Sequence, residues 1–77
     1  MVFDPTRTYR LAELRHRAAL TQVEVAAAIG VSQNAVSKLE NGAIERSALI
    51  TLKNYIEALG GHLEVVARFD GETLRLS

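Results

Sequence analysis

The chain has 77 residues, of which 48% are hydrophobic, and nine Lys and Arg residues balance nine Asp and Glu residues. A chain of this length makes one domain at most, and its core supplies only roughly 3 to 5 kcal/mol of net stability. The absence of cysteine excludes disulfides and thiolate metal sites, and the balanced charge gives no strong electrostatic argument for nucleic acid, an anionic membrane or an acidic partner. Oligomerisation remains as the additional source of stability.

The N-terminal stretch MVFDPTRTYR lacks the apolar run of a signal peptide, and no stretch approaches the roughly 20 apolar residues that span a bilayer. We therefore expect a cytoplasmic protein with no membrane partner. Residues 1–8 are interpreted as a leader, either disordered or serving as an arm, and Arg7 alone does not decide between these two roles.

Apolar residues recur at helical spacing from residue 8, with arginines between them, and predict helix one over residues 8–19. Thr21 then begins the sequence TQVE, in which Glu24 follows three residues later. This is the pattern of a capping box, in which each side chain satisfies a backbone N–H of the other residue. Helix two is therefore predicted over residues 22–29.

Two short helices are predicted to meet at a very tight turn. Gly30 tolerates the positive φ that a helix C-terminus commonly needs, and Ser32 can cap a new helix only two residues later. Helix three is predicted over residues 33–40, closing at Asn41-Gly42. Helix four, with Ser47 or Thr51 as its cap, carries apolar residues at helical spacing and is predicted to stop at Gly60-Gly61.

The period changes after these glycines, because HLEVVARFDGETLRL alternates and contains Asp70-Gly71, the dipeptide preferred in two-residue type I′ hairpins. The turn length predicts that Ala67 opposes Leu74 and that Val66 opposes Arg75. One face of the hairpin would then be apolar and available to pack on helix four, on another copy of the chain or on a different protein. That face comprises Leu63, Val65, Ala67, Phe69, Leu74 and Leu76.

The central segment has helix-turn-helix spacing. Counting from Gln22, a small residue, Ala26, falls fifth, Gly30 falls ninth and Val36 fifteenth. Ala26 allows close approach of the second helix, Gly30 makes the turn, and Val36 anchors a recognition helix whose other face points outward.

The stretch LTQVEVAAAIGVSQNAVSKLENG closely resembles the Xre and phage-repressor (Cro-like) family of DNA-binding domains, and the resemblance extends from about Tyr9 to Leu59. It implies a mainly α fold, with four helices followed by a C-terminal β-hairpin or dimerisation strand. The implied domains are the leader at 1–8, a DNA-binding domain at 9–60 and a dimerisation or partner-binding element at 61–77.

The resemblance also implies roles for particular residues. Those placed in the major groove are polar and suit base recognition, since Asn and Gln can pair with adenine and Lys can bond guanine; they are Gln33, Asn34, Ser37 and Lys38. Those placed against phosphates are Gln22, Ser32, Asn41, Gly42 and Arg46. Arg15 and Glu40 are expected to form an ion pair with a structural role.

Phosphate contacts by Lys and Arg supply most non-specific affinity for DNA, so a neutral monomer is expected to bind modestly. A dimer would double a local cationic patch, for which the candidates are Arg7, Arg10, Lys38, Arg46 and Lys53.

The C-terminal segment resembles that of small antitoxins of the HigA or HipB type. This resemblance implies a homodimer, an autoregulated operator in double-stranded DNA, and a toxin partner. The partner is a ribonuclease of the RelE/HigB type in one case and a HipA-type kinase in the other.

No catalytic arrangement, cofactor motif or local metal chelate is present in the sequence, so an enzyme is not expected. The predicted function is a sequence-specific transcriptional repressor that also serves as the antitoxin of a toxin-antitoxin pair. A stand-alone Xre-family repressor and a protein-interaction adaptor on the same scaffold remain as alternatives.

Overall fold

The computed structural model describes residues 3–76 and contains four α-helices, one short 3₁₀ helix and a two-stranded antiparallel sheet. The elements in chain order are α1 (Leu11–Arg17), α2 (Gln22–Ile29), α3 (Gln33–Asn41), η1 (Ile44–Arg46), α4 (Leu49–Ala58), β1 (Val66–Phe69) and β2 (Glu72–Arg75). The predicted fold class is confirmed. Residues 1, 2 and 77 lie outside the described residues, and with them the outermost parts of the predicted leader and C-terminal element.

Helix α1 is shorter than the predicted span of residues 8–19. It begins after Arg10, whose side chain makes no capping hydrogen bond, and ends before Ala18. Residues before it are held in a folded turn instead, because the Asp4 carboxylate accepts from the Thr6 backbone N–H at 3.0 Å and the Asp4 N–H donates to the Tyr9 hydroxyl at 2.7 Å. The apolar period alone could not show that these local contacts delay the helix.

The N-terminal segment also packs through its aromatic rings. Phe3 and Tyr9 meet edge to face with ring centroids 5.3 Å apart, and the Arg7 and Arg17 guanidinium groups lie 4.4 Å and 5.1 Å from the centre of the Tyr9 ring. Arg7 also forms an ion pair with Glu13. The described part of the predicted leader is therefore folded against α1.

The predicted start of α2 is confirmed, because the Thr21 hydroxyl accepts from the Glu24 N–H at 3.1 Å and the Glu24 carboxylate accepts from the Thr21 N–H at 2.9 Å. The predicted caps of α4 are wrong. Its N-cap is Ala48, without a side-chain hydrogen bond, whereas Thr51 lies inside the helix and the Ser47 hydroxyl donates to the Ala43 carbonyl across η1. The sequence pattern did not predict η1.

The core lies between the helices, where α2 packs on α3 and on α4. Its buried apolar residues are Leu11, Val25, Ala26, Val36, Leu52 and Tyr55. None of the helices within residues 3–76 has the length and apolar character needed to cross a lipid bilayer.

The hairpin register is confirmed. Ala67 opposes Leu74 and Val66 opposes Arg75, and the ladder continues through a 2.7 Å hydrogen bond from the Leu76 N–H to the Val65 carbonyl. Asp70 and Gly71 both have positive φ, +48° and +82°, as a type I′ turn requires. Every strand residue except Ala67 is exposed, so the hairpin projects from the helical body.

Candidate nucleic-acid interface

The turn between α2 and α3 has the geometry that its sequence predicts. Gly30 ends α2 in the left-handed region, with φ +74°, and the next N–H, of Val31, donates to the Ala26 carbonyl at 3.0 Å. The Ser32 hydroxyl then accepts from the Ala35 N–H at 3.1 Å and starts α3. Two residues therefore separate the end of one helix from the cap of the next, and α2 packs on α3.

Helix α3 has one buried side and one open side. Val36 is 1% exposed and Leu39 packs against the core, so these two residues anchor the helix. Gln33, Asn34 and Lys38 are exposed on the other side, and Ser37 is half-buried between the two sides. The structure thus brings all four predicted base-contacting residues onto one helix, with three of them open to solvent.

The residues predicted to contact phosphates lie around the two ends of α3. Ser32 is exposed at its start, while Asn41 and Gly42 close its end. The Asn41 side chain donates to the Ser37 carbonyl at 2.9 Å, so its amide is directed back along the helix. Helix α3 ends at Asn41, one residue beyond the predicted end at residue 40, and Gly42 follows with extended backbone at φ −89°.

Arg46 is exposed on η1, one short element beyond the end of α3. Gln22 is half-buried at the start of α2, and its amide N–H donates to the Glu40 carboxylate at 3.0 Å. Its oxygen faces Gln33, whose amide nitrogen lies 3.5 Å away. The side chain of Gln22 therefore joins the polar interior of the domain to the exposed side of α3.

The ion pair implied by the resemblance is present. The Arg15 Nε lies 2.6 Å from Glu40 Oε2 and its Nη2 lies 3.1 Å from Oε1, with side-chain exposures of 9% and 3%. Arg15 also donates to the Leu20 carbonyl at 3.0 Å, which ties α1 to the chain entering α2. A planar guanidinium meets a carboxylate through two parallel bonds in this geometry.

Glu40 is the meeting point of four helices. It lies on α3 and accepts hydrogen bonds from Arg15 on α1, Gln22 on α2 and Tyr55 on α4, the last at 2.6 Å. Burial alone would raise the pKa of Glu40, but these three partners outweigh burial and lower it to about 2. The carboxylate is therefore ionised over the physiological range.

The part of this network that the sequence pattern missed is the hydroxyl of Tyr55. Its ring is fully buried in the core. Its hydroxyl donates to Glu40 and lies 3.1 Å from the Leu11 carbonyl, and burial together with the nearby carboxylate raises its pKa above the ordinary value. The position of this tyrosine among the apolar residues of helix four could have predicted such a bond, because a buried tyrosine hydroxyl usually has a hydrogen-bond partner.

The predicted apolar face of the hairpin is only partly free. Leu63 packs against the helical core, which is one of the three alternatives that the sequence left open for this face, and Val65 and Ala67 are half-buried. The outer part of the face is open, because Phe69 is 63%, Leu74 44% and Leu76 64% exposed. Near the base of the opposite face, Arg75 forms an ion pair with Glu64.

Comparison with known proteins agrees with this geometry. A family model described as a helix-turn-helix domain matches residues 9–69. The putative antitoxin HigA2 of Mycobacterium tuberculosis (strain ATCC 25618 / H37Rv) is 45% identical over 74 residues, which are 96% of this chain and 73% of HigA2. The putative antitoxin HigA3 of the same strain is 47% identical over 75 residues, which are 96% of this chain and 69% of HigA3.

Solved structures agree as well. The structure of DNA-bound antitoxin HigA3 superposes with a TM-score of 0.83 at 47% identity, covering 92% of each chain. A second structure, described as "Induced DNA bending by unique dimerization of HigA antitoxin", has a TM-score of 0.79 at 47% identity and covers 96% of this chain and 99% of that chain.

Proposed function

The chain belongs to the Xre-type helix-turn-helix family and is HigA-like, and we propose that it is a DNA-binding transcriptional repressor that also serves as an antitoxin. The observation that carries this proposal is the division of α3 into an anchored side and an open polar side. The HigA3 antitoxin of similar fold is DNA-bound in its solved structure. A repressor and antitoxin of this kind acts by binding and needs no catalytic step. Its place of action would be the cytoplasm, where it would meet the operator DNA.

Gln33 has an exposed amide whose orientation suits hydrogen bonding to a base. One N–H of its amide is directed at the Gln22 oxygen, so the amide oxygen and the second N–H remain available. An acceptor and a donor side by side match the N6 and N7 edge of adenine in the major groove. Asn34 has the same chemistry one residue further along α3, Lys38 suits guanine, and Ser37 suits either base.

Phosphate contacts would position α3 in the groove. The Ser32 hydroxyl accepts from Ala35 within the chain, which leaves its own O–H free to donate to a phosphate. Gln22 retains one amide N–H beyond the one directed at Glu40. At the other end of α3, the backbone N–H of Gly42, which follows the last helical residue Asn41, and the guanidinium of Arg46 would bind phosphates on the opposite side of the groove.

Charge supports a dimer as the binding species. The chain has no net charge, and Arg7, one of the cations expected to attract DNA, is committed to Glu13 and to the Tyr9 ring. A single copy would therefore offer few phosphate contacts, and two copies would double them. A two-fold dimer would read two half-sites about one helical turn, roughly 34 Å, apart or a multiple of that distance.

The dimer contact would use the open part of the hairpin face, at Phe69, Leu74 and Leu76. These large apolar side chains are exposed on a hairpin that projects from the body, and a two-stranded hairpin is only marginally stable without further packing. Residues 9–60 would then form the DNA-binding unit and residues 61–77 the association unit.

We infer a toxin partner from the names of the relatives. The relatives are HigA antitoxins, and this favours a ribonuclease of the RelE/HigB type over a HipA-type kinase as the partner of this chain. A repressor that neutralises a toxin and represses its own operon would couple the two activities through the same dimer.

Fluorescence anisotropy with a duplex from the region upstream of the chain's own gene tests the DNA-binding part. Saturable binding that survives excess competitor DNA and weakens with salt is expected. Equal affinity for an unrelated duplex of the same length would contradict sequence-specific repression.

The antitoxin part is tested by expressing the neighbouring small reading frame alone and together with this chain. Growth arrest that is relieved by co-expression is expected, together with copurification of the two proteins. A neighbour that is harmless alone would instead support a stand-alone repressor.

A further inference from the structure

Tyr55 combines complete burial with a hydroxyl that reaches the polar network. Its side chain is 0% exposed on α4, and the hydroxyl oxygen lies 2.6 Å from Glu40 Oε2 and 3.1 Å from the Leu11 carbonyl. The ring alone would fill the core equally well. The hydroxyl is therefore an addition that packing does not require, and it is aimed at a carboxylate.

The two oxygens of Glu40 have different partners. Oε2 accepts from Arg15 Nε at 2.6 Å and from the Tyr55 hydroxyl at 2.6 Å, whereas Oε1 accepts from Arg15 Nη2 at 3.1 Å and from Gln22 Nε2 at 3.0 Å. The two shortest bonds hold Oε2. Both oxygens belong to one planar group, so fixing the position of Oε2 also fixes the position of Oε1. Gln22 therefore meets Oε1 from a single direction.

That direction reaches the exposed side of α3. With Nε2 of Gln22 directed at Glu40, its Oε1 points the opposite way, toward the Gln33 amide nitrogen at 3.5 Å. The orientation of one amide thus sets which atoms of the next amide remain available. A chain of contacts leads from a core tyrosine to a side chain that is open to solvent.

We propose that the Tyr55 hydroxyl is a positioning group for operator recognition, which acts through Glu40 and Gln22 on the orientation of Gln33. This inference rests on the proposed function and deepens it by assigning part of the specificity to a buried residue that touches no DNA. Without the hydroxyl, the carboxylate keeps its two-point contact with Arg15 but loses its anchor on α4. Glu40 can then shift together with Arg15, which loosens the direction that Oε1 imposes on the Gln22 amide and, through Gln22, on Gln33.

The test variant is Tyr55→Phe, which keeps the ring and removes only the hydroxyl. Tyr9→Phe is the matched control, because the Tyr9 hydroxyl accepts from the Asp4 N–H outside this network. Leu52→Val serves as a second control, since it loosens the core on the same helix without removing a hydrogen bond.

The first measurement is the ratio of affinities for operator and unrelated duplex. We expect Tyr55→Phe to lower operator affinity by about three- to tenfold, as the loss of one hydrogen bond would, with unrelated-duplex affinity unchanged. Both controls should keep the wild-type ratio. A Tyr55→Phe ratio equal to wild type, or an equal loss in Leu52→Val, would overturn the proposal.

The second measurement needs no DNA. The side-chain amide protons of Gln22 are expected to exchange with solvent faster in Tyr55→Phe than in the wild type or in Leu52→Val, at a temperature where all three are folded. Unchanged exchange overturns the positioning role. A wild-type chain that binds no operator overturns the proposed function itself, and the Gln22 exchange then decides the positioning claim alone.

Discussion

Arg15 and Glu40 form a two-point ion pair in which both side chains are at least nine-tenths buried. The pair joins α1 to the end of α3, and the same carboxylate accepts from α2 and α4. A single carboxylate thus orients the helix that would enter DNA relative to the other three helices.

Removal of one member of this pair is expected to be severe. Arg15→Met leaves an ionised carboxylate buried without its cation and should lower the free energy of unfolding by about 3 to 5 kcal/mol. Urea denaturation followed by circular dichroism measures the loss. Glu64→Gln is the control, because Glu64 and Arg75 are 50% and 66% exposed, and such a pair contributes about 1 kcal/mol or less. Equal losses in the two variants would contradict the structural role.

Stability should fall in acid because of Glu40. Its folded-state pKa of about 2 lies below the ordinary 4.5, so the unfolded chain binds this proton more readily. The stabilisation is complete above pH about 4.5, is lost as pH falls toward about 2, and amounts to about 3 kcal/mol. NMR titration of the Glu40 carboxyl carbon isolates this group from the other acids, and a midpoint near 4.5 would refute the prediction.

The exposed side of α3 should matter for DNA and little for stability. Gln33→Ala and Lys38→Ala are each expected to cost about 1 to 3 kcal/mol of operator affinity, because each removes a proposed base contact. Melting temperatures should stay near wild type because both side chains are exposed. Asn54→Ala removes an exposed amide from α4 as a control. Unaltered operator affinity in both α3 variants would rule out direct readout by this helix.

The hairpin face should determine the oligomeric state. Phe69→Ser is expected to raise the dimer dissociation constant and to weaken operator binding with it. Val66 is also apolar and 53% exposed, but it lies on the opposite face, so Val66→Ser should leave the dimer intact. Sedimentation equilibrium compares the two variants. A wild-type chain that is monomeric at micromolar concentration, or a Val66→Ser variant that dissociates equally, would argue against this interface.

Gly30 should be required for its backbone conformation alone. Its φ is +74°, and no heavy atom lies within 4 Å of the position that a Cβ would occupy. Gly30→Ala should therefore destabilise the fold by about 1 to 2 kcal/mol through strain in the left-handed region. Gly30→Asn should recover part of this loss, because asparagine tolerates that region. Chemical denaturation of the two variants provides the comparison.

Much of this fold follows from chemistry within short segments. The capping box at Thr21, the glycine turn at Gly30, the serine cap of α3 and the Asp-Gly hairpin each depend on residues close together in the chain. Local backbone geometry decides them, and the hairpin register follows from its turn length. The spacing from Gln22 to Val36 likewise indicated which side of α3 is buried.

Other features depend on residues far apart in the chain, and only the packed structure decided them. The contact of Tyr55 with Glu40 spans 15 residues and that with Leu11 spans 44, so no local period indicates them. The late start of α1 results from the turn at Asp4, and Leu63 joins the helical core although its alternation placed it on the hairpin face. Sequence periodicity indicates which side of a helix or strand is apolar. The hydrogen-bond partner of a buried polar group depends instead on how the surrounding helices pack.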